Sequence, residues 1–210
     1  MEIKLGIVHG EYPPGAPLSE SKLARALRTS RTPVREALSR LLEEGYVERV
    51  ASRGFFVARV TLKLIQNVFE VRRLLEGAAA ARAAELGDPE AIADLRRLAA
   101  FEYKAGDPVS FKKAVEANNH FHVALALASR NVIFVDLIRH CLDQVTRLIA
   151  LGLDAESLQD SASDEHEAIV DAIEGRDPEA ARRAIQRHLD GSNERMTEAL
   201  LKGEIRAVTV

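Results

Sequence analysis

The segment TSRTPVREALSRLLEEG, residues 29–45, decides how the N-terminal part of the chain folds. Thr32 suits the N-cap of a helix and Pro33 its first position, whereas Gly45 suits the left-handed residue that ends one. The apolar residues between them recur at helical spacing: Val34, Ala37, Leu38, Leu41 and Leu42. The segment therefore predicts one helix that begins at Pro33 and carries arginines at its leading end.

The sequence on either side of this segment predicts short elements separated by turns. Ser19 can cap a helix over SESKLARAL, and a weakly signalled helix occupies about residues 2–9. After Gly45, two short apolar runs at residues 46–50 and 55–57 flank a turn that contains glycine, which predicts a β-hairpin. The order is therefore three helices followed by a hairpin.

Basic side chains surround the turn between the second and third predicted helices. Residues 21–35 contain no acidic residue and five basic ones, Lys22, Arg25, Arg28, Arg31 and Arg35. Two short helices joined by a tight turn form a helix-turn-helix, whose second helix can enter the major groove of DNA. Contacts with phosphates and base edges are then expected from Ser30, Arg31, Thr32 and Arg35, and from the hairpin residues Arg49 and Arg53. The alternative is a solvated basic face whose arginines pair along the helix.

The composition indicates a folded protein with two electrically different parts. Of its 210 residues 47% are apolar, enough for a large core. The single cysteine, Cys141, cannot form an internal disulfide, and the sequence shows neither a secretory signal nor an apolar stretch that could span a membrane. These features predict a cytoplasmic protein. Residues 1–60 hold ten Lys/Arg and seven Asp/Glu, a net +3, whereas residues 61–210 hold nineteen and twenty-five, a net −6.

From Thr61 onward the sequence shows helical periodicity and no strand pattern. Turn and cap residues interrupt it repeatedly, as in Gly87-Asp88-Pro89, and short connections favour antiparallel neighbours. The sequence therefore predicts a six-helix antiparallel bundle, with helices at about residues 62–86, 88–105, 108–129, 131–151, 157–174 and 177–201.

Three histidines occur in separate helices of this bundle, at His122, His166 and His188. Asn118 precedes His122 by four residues, so its amide oxygen shares a helix face with that imidazole. If the helices bring these groups together, three imidazoles and one oxygen form a site for a divalent ion such as zinc or nickel. Taken singly, a histidine can instead be an ordinary hydrogen-bonded residue, which is the interpretation given to His9, His120 and His140.

Residues 5–60 resemble the winged helix-turn-helix of the GntR family of bacterial transcription regulators. The motifs PPG, LSE, SRTPVREAL, GYV and RGFFV occur in the order that the family shows. The resemblance implies DNA contacts by Arg31, Thr32 and Arg35. Members commonly place an arginine directly after LSE, where this chain has Ser21 followed by Lys22. Lys22 is expected to supply the missing charge at the DNA, without the bidentate geometry of arginine.

Residues 61–205 resemble the all-helical effector-binding domain named FCD, which follows this winged helix in one large GntR subfamily. The motifs that carry the resemblance are FEVRRLLEGAAAARAA, NHFHVALA, EHEAIVDAI and RHL, and six helices match its shorter, vanillate-regulator-like branch. Many members bind a divalent metal through one Asp and three His, positions that correspond here to Asn118, His122, His166 and His188. The resemblance also implies effectors that are small carboxylates or sugar acids.

Arg72, in EVRRLLEG, stands at the usual arginine position of that family. It is expected either to pair with an effector carboxylate through two hydrogen bonds or to form an ion pair with Glu76 on the same helix. Both interpretations remain open, because a buried arginine needs an acidic partner in either case.

Together these patterns predict a mainly α protein. A winged helix-turn-helix of three helices and a β-hairpin, residues 1–60, precedes an all-α six-helix antiparallel bundle, residues 61–210, that binds an effector and dimerises. The expected function is a ligand-responsive repressor on a palindromic operator, and a homodimer is expected because one short recognition helix contacts too few bases for specificity.

Two other functions are alternatives. A helical-bundle metalloenzyme is the first, although no histidine has a Glu three residues before it and no G-x-S-x-G motif occurs. The second is a regulator whose helical domain only dimerises. The expected binding of metal and carboxylate separates the effector-responsive regulator from this last alternative.

Overall fold

The computed structural model describes residues 2–100, 108–151 and 162–201. A small domain of three helices and a three-stranded sheet comes first, and a set of longer helices follows, which confirms the mainly α fold with a winged helix-turn-helix. The elements in chain order are α1 (Glu2–Val8), β1 (Pro17–Leu18), α2 (Glu20–Ala26), α3 (Arg31–Glu43), β2 (Val47–Val50), β3 (Gly54–Val57), α4 (Leu62–Leu86), α5 (Pro89–Ala99), α6 (Pro108–Ala128), α7 (Val132–Ala150), α8 (Ala162–Glu174) and α9 (Pro178–Leu201).

One apolar core holds the N-terminal domain together. Its buried side chains come from all three helices and from the sheet, and include Ile7, Leu23, Val34, Leu38, Tyr46 and Val57. The strands are ordered β1-β3-β2 and pair antiparallel, with Val47 opposite Val57 and Leu18 opposite Phe55. The β2–β3 hairpin agrees with the sequence prediction. Strand β1 was not predicted, because two residues are too few to show an alternating pattern.

The recognition helix, α3, begins two residues earlier than the sequence predicts. Ser30 occupies the N-cap with an extended backbone, φ −87° and ψ 170°, and its side chain makes no capping hydrogen bond. The predicted cap at Thr32 is wrong, because the helix begins at Arg31 and Thr32 lies inside its first turn. Pro33 is tolerated there, since the N–H groups of a first helical turn have no acceptor within the helix.

The two helices of the helix-turn-helix are followed by left-handed residues of different types. Gly45 follows α3 with φ +78°, as predicted, whereas Arg28 follows α2 with φ +52°. The next N–H, that of Thr29, donates to the carbonyl of Ala24 at 2.9 Å, the pattern of a Schellman motif. A left-handed backbone is unfavourable for a residue with a Cβ atom. Arg28 is therefore held at a strained position that glycine would occupy without strain.

The longer helices form a second core, in which α4 packs most extensively against α9. Its buried side chains include Phe69, Leu95, Phe121, Leu148, Ile169 and Ile185. All six predicted helices are present, and most of the ends that the structure describes lie close to the predicted ones. The end predicted at residue 105 is wrong, because α5 ends at Ala99 with Ala100 as its C-cap. The start predicted at residue 157 falls outside the described residues.

Polar contacts join the N-terminal domain to α7, and we call them the junction. Tyr46 donates its hydroxyl hydrogen to Asp143 Oδ2 at 3.0 Å, and Lys4 Nζ lies 3.0 Å from the same oxygen. Arg147 Nη2 donates to the backbone carbonyl of Ala58 at 2.7 Å. His140 Nδ1 lies 3.2 Å from the Tyr46 hydroxyl. The junction thus links the winged domain to one helix of the second core through six residues: Lys4, Tyr46, Ala58, His140, Asp143 and Arg147.

Candidate functional site

The residues predicted to contact DNA are all exposed, namely Lys22, Ser30, Arg31, Thr32, Arg35 and Arg53. The charges of three arginines act together near the first turn of α2. The pKa of Glu20 is lowered there, first by hydrogen bonds from Arg35 and further by the charges of Arg31 and Arg49. The recognition helix and the wing hairpin therefore present arginines to one neighbourhood.

Arg35 and Glu20 form an ion pair across the helix-turn-helix. Arg35 Nε donates to Glu20 Oε1 at 3.0 Å, and Arg35 Nη2 donates to Glu20 Oε2 at 2.8 Å. Glu20 is the first residue of α2 and follows the predicted N-cap Ser19, whose Oγ accepts from the Lys22 N–H. A carboxylate in the first turn also interacts favourably with the helix dipole. The pair occupies one edge of the guanidinium while the Arg35 side chain stays 67% exposed.

The other basic residues of this surface are held more loosely. Arg49 lies over the ring of Phe55 with 5.8 Å to its centroid, and Arg53 lies over Phe56 at 5.3 Å. Arg31 has no hydrogen-bond or ion-pair partner within residues 2–100, 108–151 and 162–201. The surface thus combines one fixed arginine with several that remain available to an anionic partner such as a phosphate.

His122 of α6, His166 of α8 and His188 of α9 converge between the longer helices, and all three are buried. His188 Nε2 lies 3.3 Å from His122 Nε2 and 3.3 Å from His166 Nε2. One ring nitrogen from each histidine lies within 4.8 Å of the others. The fold therefore brings together the three histidines that the sequence singled out.

Two carboxylates contact the other ring nitrogens of this histidine centre. His122 Nδ1 lies 2.5 Å from Glu76 Oε2, and His188 Nδ1 lies 2.7 Å from Glu165 Oε2. Because a carboxylate accepts hydrogen bonds, each Nδ1 carries the hydrogen and each Nε2 presents a lone pair. The Nε2 atoms of His122 and His188 then face one another without a hydrogen between them. A cation among the three Nε2 atoms would satisfy both lone pairs.

The surroundings of the centre favour the neutral imidazoles of His122 and His166. Burial lowers the pKa of His122 to about 4, even though Glu76 acts in the opposite direction. Burial also lowers the pKa of His166 well below its usual value, and the neighbouring histidines add to the effect. The ring of Phe121 stacks on His166 with centroids 4.0 Å apart. Neutral imidazole is the form that binds a divalent metal.

Arg72 and Glu76 are buried neighbours on α4, beside the histidine centre. Arg72 Nε donates to Glu76 Oε1 at 2.6 Å. Burial disfavours the Glu76 carboxylate, but the charges of Arg72 and His122 outweigh it and hold the pKa of Glu76 at about 2. Arg72 Nη2 is buried and has no hydrogen-bond partner among the described residues. The ion pair and a ligand contact would therefore use different nitrogens of one side chain.

Asn118, the expected oxygen ligand, is half-buried on α6, one turn before His122. Its spacing places it on the His122 side of that helix. The next residue, Asn119, instead faces α7 and donates from Nδ2 to Thr146 Oγ1 at 3.0 Å. The contact of Asn119 thus belongs to the packing of α6 against α7.

The carboxylate partners of the histidines are the part of the site that the sequence analysis missed. Glu165 directly precedes His166 in the chain yet contacts His188 on another helix. The sequence predicts Glu76 as a partner of Arg72, and the structure shows that it contacts His122 as well. The spacing from Arg72 was a usable signal for Glu76. No local pattern could assign Glu165 to His188, because the contact depends on how α8 and α9 pack.

A winged helix-turn-helix followed by an all-helical domain defines a class of DNA-binding transcription regulators. The family described as "Bacterial regulatory proteins, gntR family" matches residues 1–57, and the FCD domain matches residues 67–191. The chain therefore belongs to the GntR family, in the group that carries an FCD domain.

Individual relatives support this assignment. The HTH-type transcriptional repressor RspR of Escherichia coli (strain K12) is 28% identical over 192 residues, which cover 91% of this chain and 84% of RspR. The "Probable D-xylose utilization operon transcriptional repressor" of Paenarthrobacter nicotinovorans is 31% identical over 196 residues, 89% of this chain and 82% of that protein. A crystal structure of a GntR transcriptional regulator from Rhodococcus sp. RHA1 superposes with a TM-score of 0.73 at 27% identity, covering 94% and 95% of the two chains.

The protein is accordingly a DNA-binding transcription regulator and not an enzyme. None of the helices in the described parts of the chain combines the length and the apolar character that crossing a membrane requires.

Proposed function

We propose that the protein represses transcription as a homodimer on a palindromic operator, under the control of a divalent metal and a small carboxylate or sugar acid. The DNA-binding domain then corresponds to residues 1–60 and the effector-binding domain to residues 61–210. The repressor names of two relatives support the direction of control. Because the operator lies in the bacterial cytoplasm, that is the proposed location.

The observation that carries the proposal is the arrangement of the histidine centre. Three buried imidazoles face each other through Nε2, and carboxylates fix the hydrogens of two of them at Nδ1. Histidine ligands of metals characteristically donate their second N–H to a carboxylate or carbonyl in this way. A set of histidines that served only to fill the core would have no need of inward-facing lone pairs.

The donor set favours zinc or nickel. Imidazole suits these ions, whereas hard ions such as Mn²⁺ prefer oxygen ligands. Asn118 would add a neutral oxygen to His122, His166 and His188, so no ligand would cancel part of the ion's double charge. When bound, the metal would supply a positive charge that attracts an anionic effector.

Arg72 is the proposed second contact for the effector. Its Nε is held by Glu76 while the buried Nη2 has no partner among the described residues. A buried donor without an acceptor is unfavourable by about 1–3 kcal/mol, and an effector carboxylate would supply the acceptor. The same anion could therefore bridge the metal and the arginine.

The proposed dimer surface lies on α4, α6 and α7. Large apolar side chains are exposed on these helices, namely Val71, Leu74, Leu127, Val132, Ile133 and Leu137. The same three helices enclose a small apolar cluster that includes Ala126, Val135, Ile138 and Leu142. A second copy of the chain is the proposed occupant of this surface, because two recognition helices are needed for two half-sites.

On DNA, the proposed contacts come from the recognition helix and from its neighbours. Arg31, Thr32 and Arg35 would reach base edges and phosphates, and Ser30 would bind a phosphate near the helix N-terminus. Lys22 and Arg53 would contact the backbone on either side. An effector that binds better to the dimer arrangement that fits the operator strengthens DNA binding. An effector that binds better to the other arrangement releases the DNA.

Calorimetric titration with Zn²⁺ followed by citrate tests the metal and effector proposals. Wild-type protein should bind one Zn²⁺ per chain, and His122→Ala should bind it at least tenfold more weakly. His120→Ala is the matched control, because His120 is exposed on the same helix. Asn118→Asp should raise the affinity for metal and lower the affinity for citrate at saturating metal, since the aspartate cancels one positive charge.

The opposing effects of Asn118→Asp distinguish a ligand from a packing residue. If wild-type protein and Asn118→Asp both fail to bind metal above background, the histidines are structural. The protein would then fit the alternative of a regulator whose helical domain only dimerises. Equal losses in His120→Ala and His122→Ala would likewise contradict the proposed centre.

A further inference from the structure

The ion pair between Glu20 and Arg35 restricts what the recognition helix can present to DNA. Arg35 uses Nε and Nη2 for the two oxygens of Glu20. A guanidinium offers two different donor pairs to a base, the side edge of Nε with one Nη and the end formed by both Nη nitrogens. In this structure the side edge is occupied, and the end of the guanidinium remains free to reach outward.

We infer that Glu20 is a positioning residue that makes Arg35 read DNA with the end of its guanidinium and thereby sets operator specificity. The inference rests on the proposed role of Arg35 in DNA contact. It assigns Glu20 an effect that acts through Arg35, rather than a contact of its own with a base.

The packing of the two helices makes Glu20 the fixed partner. The Glu20 side chain is 23% exposed and that of Arg35 is 67% exposed. Leu23 and Ala24 of α2 are buried in the same core as Val34 of α3, so the helices hold the two side chains in register. Arginine loses considerable rotamer freedom when it binds. A clamp that already restricts Arg35 in the free protein reduces that loss at the moment of DNA contact.

Folding stability gives only a small reason for a carboxylate at this position, because its interaction with the dipole of α2 is weak. An exposed ion pair contributes little to folding, and a negative charge near the phosphate backbone opposes non-specific binding. Glu20 should therefore lower affinity for all DNA while it raises the preference for one sequence. These opposite effects on affinity and preference are the signature that separates positioning from a general electrostatic role.

The test measures both quantities with full-length protein. One duplex is selected from a random pool by the wild-type protein, and a second contains the same base pairs in scrambled order. We expect Glu20→Ala to lower the ratio of the two affinities by about tenfold, within the range that one bidentate base contact provides. Its affinity for the scrambled duplex should rise, because a negative charge is lost. Glu20→Gln keeps the size of the side chain and one acceptor oxygen. Its affinity ratio should therefore lie between those of the wild-type protein and Glu20→Ala.

Two further variants make the result decisive. Glu43→Ala removes one negative charge at the exposed far end of α3 and should leave the ratio unchanged. Once Arg35 is replaced by Ala, adding Glu20→Ala should no longer change the ratio. If Glu20→Ala moves both affinities by the same factor, or lowers the ratio equally without Arg35, the inference is wrong. If Arg35→Ala alone leaves the ratio unchanged, the proposed DNA contact fails and the inference fails with it.

Discussion

The recognition surface and the histidine centre use charge in opposite ways. Arg31 on the surface is exposed and unpaired within the described parts of the chain, so its charge is available to DNA. Arg72 in the centre is buried, and its charge is balanced by Glu76, which also holds His122. Substitutions on the recognition surface can therefore change DNA binding without changing the fold. Substitutions in the histidine centre should change ligand binding and folding stability together. This difference determines what substitutions in each region should do.

The largest effect should come from Glu76→Ala. Removal of this carboxylate leaves the buried Arg72 charge without its partner, and the free energy of unfolding should fall by about 3–5 kcal/mol. Urea denaturation measures the change. Glu85→Ala, which breaks the exposed pair with Arg82 on the same helix, is the control and should change stability by less than about 0.5 kcal/mol. Equal changes in both variants would show that the centre is not coupled to stability.

Arg31→Ala should affect DNA binding and leave the fold intact. The loss of one base or phosphate contact should weaken binding to the selected duplex by about tenfold at fixed salt. Its urea denaturation should match that of wild-type protein. Arg40→Ala removes the same charge from the exposed other end of α3 and serves as the control in fluorescence anisotropy. A loss of stability in Arg31→Ala would contradict the proposed separation of the two regions.

Arg28→Gly should shift stability and DNA binding in opposite directions. Glycine relieves the left-handed strain at φ +52° but has more freedom when unfolded, so the net gain in stability should be about 0.5 kcal/mol. Because Arg28 would no longer neutralise a phosphate, the fall of log affinity with log salt should become less steep by about one unit of slope. Arg28→Lys keeps both the charge and the strain, and should reproduce wild-type values in both measurements.

The smallest effect should appear at the junction between the winged domain and α7. His140 Nδ1 lies 3.2 Å from the Tyr46 hydroxyl. Burial, assisted by the nearby Lys4, lowers the pKa of His140, while Asp143 and Glu44 oppose the shift and Arg147 adds to it. A folded pKa below the unfolded value of about 6.5 means that the contribution is present above that pH and is lost as the pH falls below it.

The size of that pH effect should stay below about 0.5 kcal/mol, because solvent screens a half-exposed ring. Denaturation midpoints of wild-type protein and His140→Gln between pH 7 and pH 5 measure it. The wild-type protein should lose stability relative to His140→Gln as the pH falls. A gain in its stability relative to His140→Gln toward pH 5 would contradict the assigned direction.

The sequence predicts the elements of this fold well because each carries its own periodicity and its own end signals. The six long helices are examples, and the hairpin around Gly54 is another. The start of α3 was placed wrongly because Ser30 and Thr32 are both acceptable caps, and the packing of the helix decides between them. Strand β1 pairs with β3 over only two residues, so no local pattern could reveal it.

The candidate site was predictable only in part. The histidines stood out by residue type, and the i, i+4 spacing tied Asn118 to His122. The contact of Glu165 with His188 and that of Glu20 with Arg35 join separate helices. Such contacts follow from tertiary packing, which local patterns do not contain. The missed partners are the ones that fix the orientation of the predicted functional groups.

The junction limits how this regulator can exchange domains with its relatives. A hybrid that receives a foreign winged domain keeps Asp143 and Arg147 on α7 but loses Lys4 and Tyr46 from the opposite side. Partly buried polar groups left without partners would then weaken the hybrid. Cutting and rejoining the chain near residue 60 is therefore insufficient by itself, and the polar residues on both sides must be transplanted as one set.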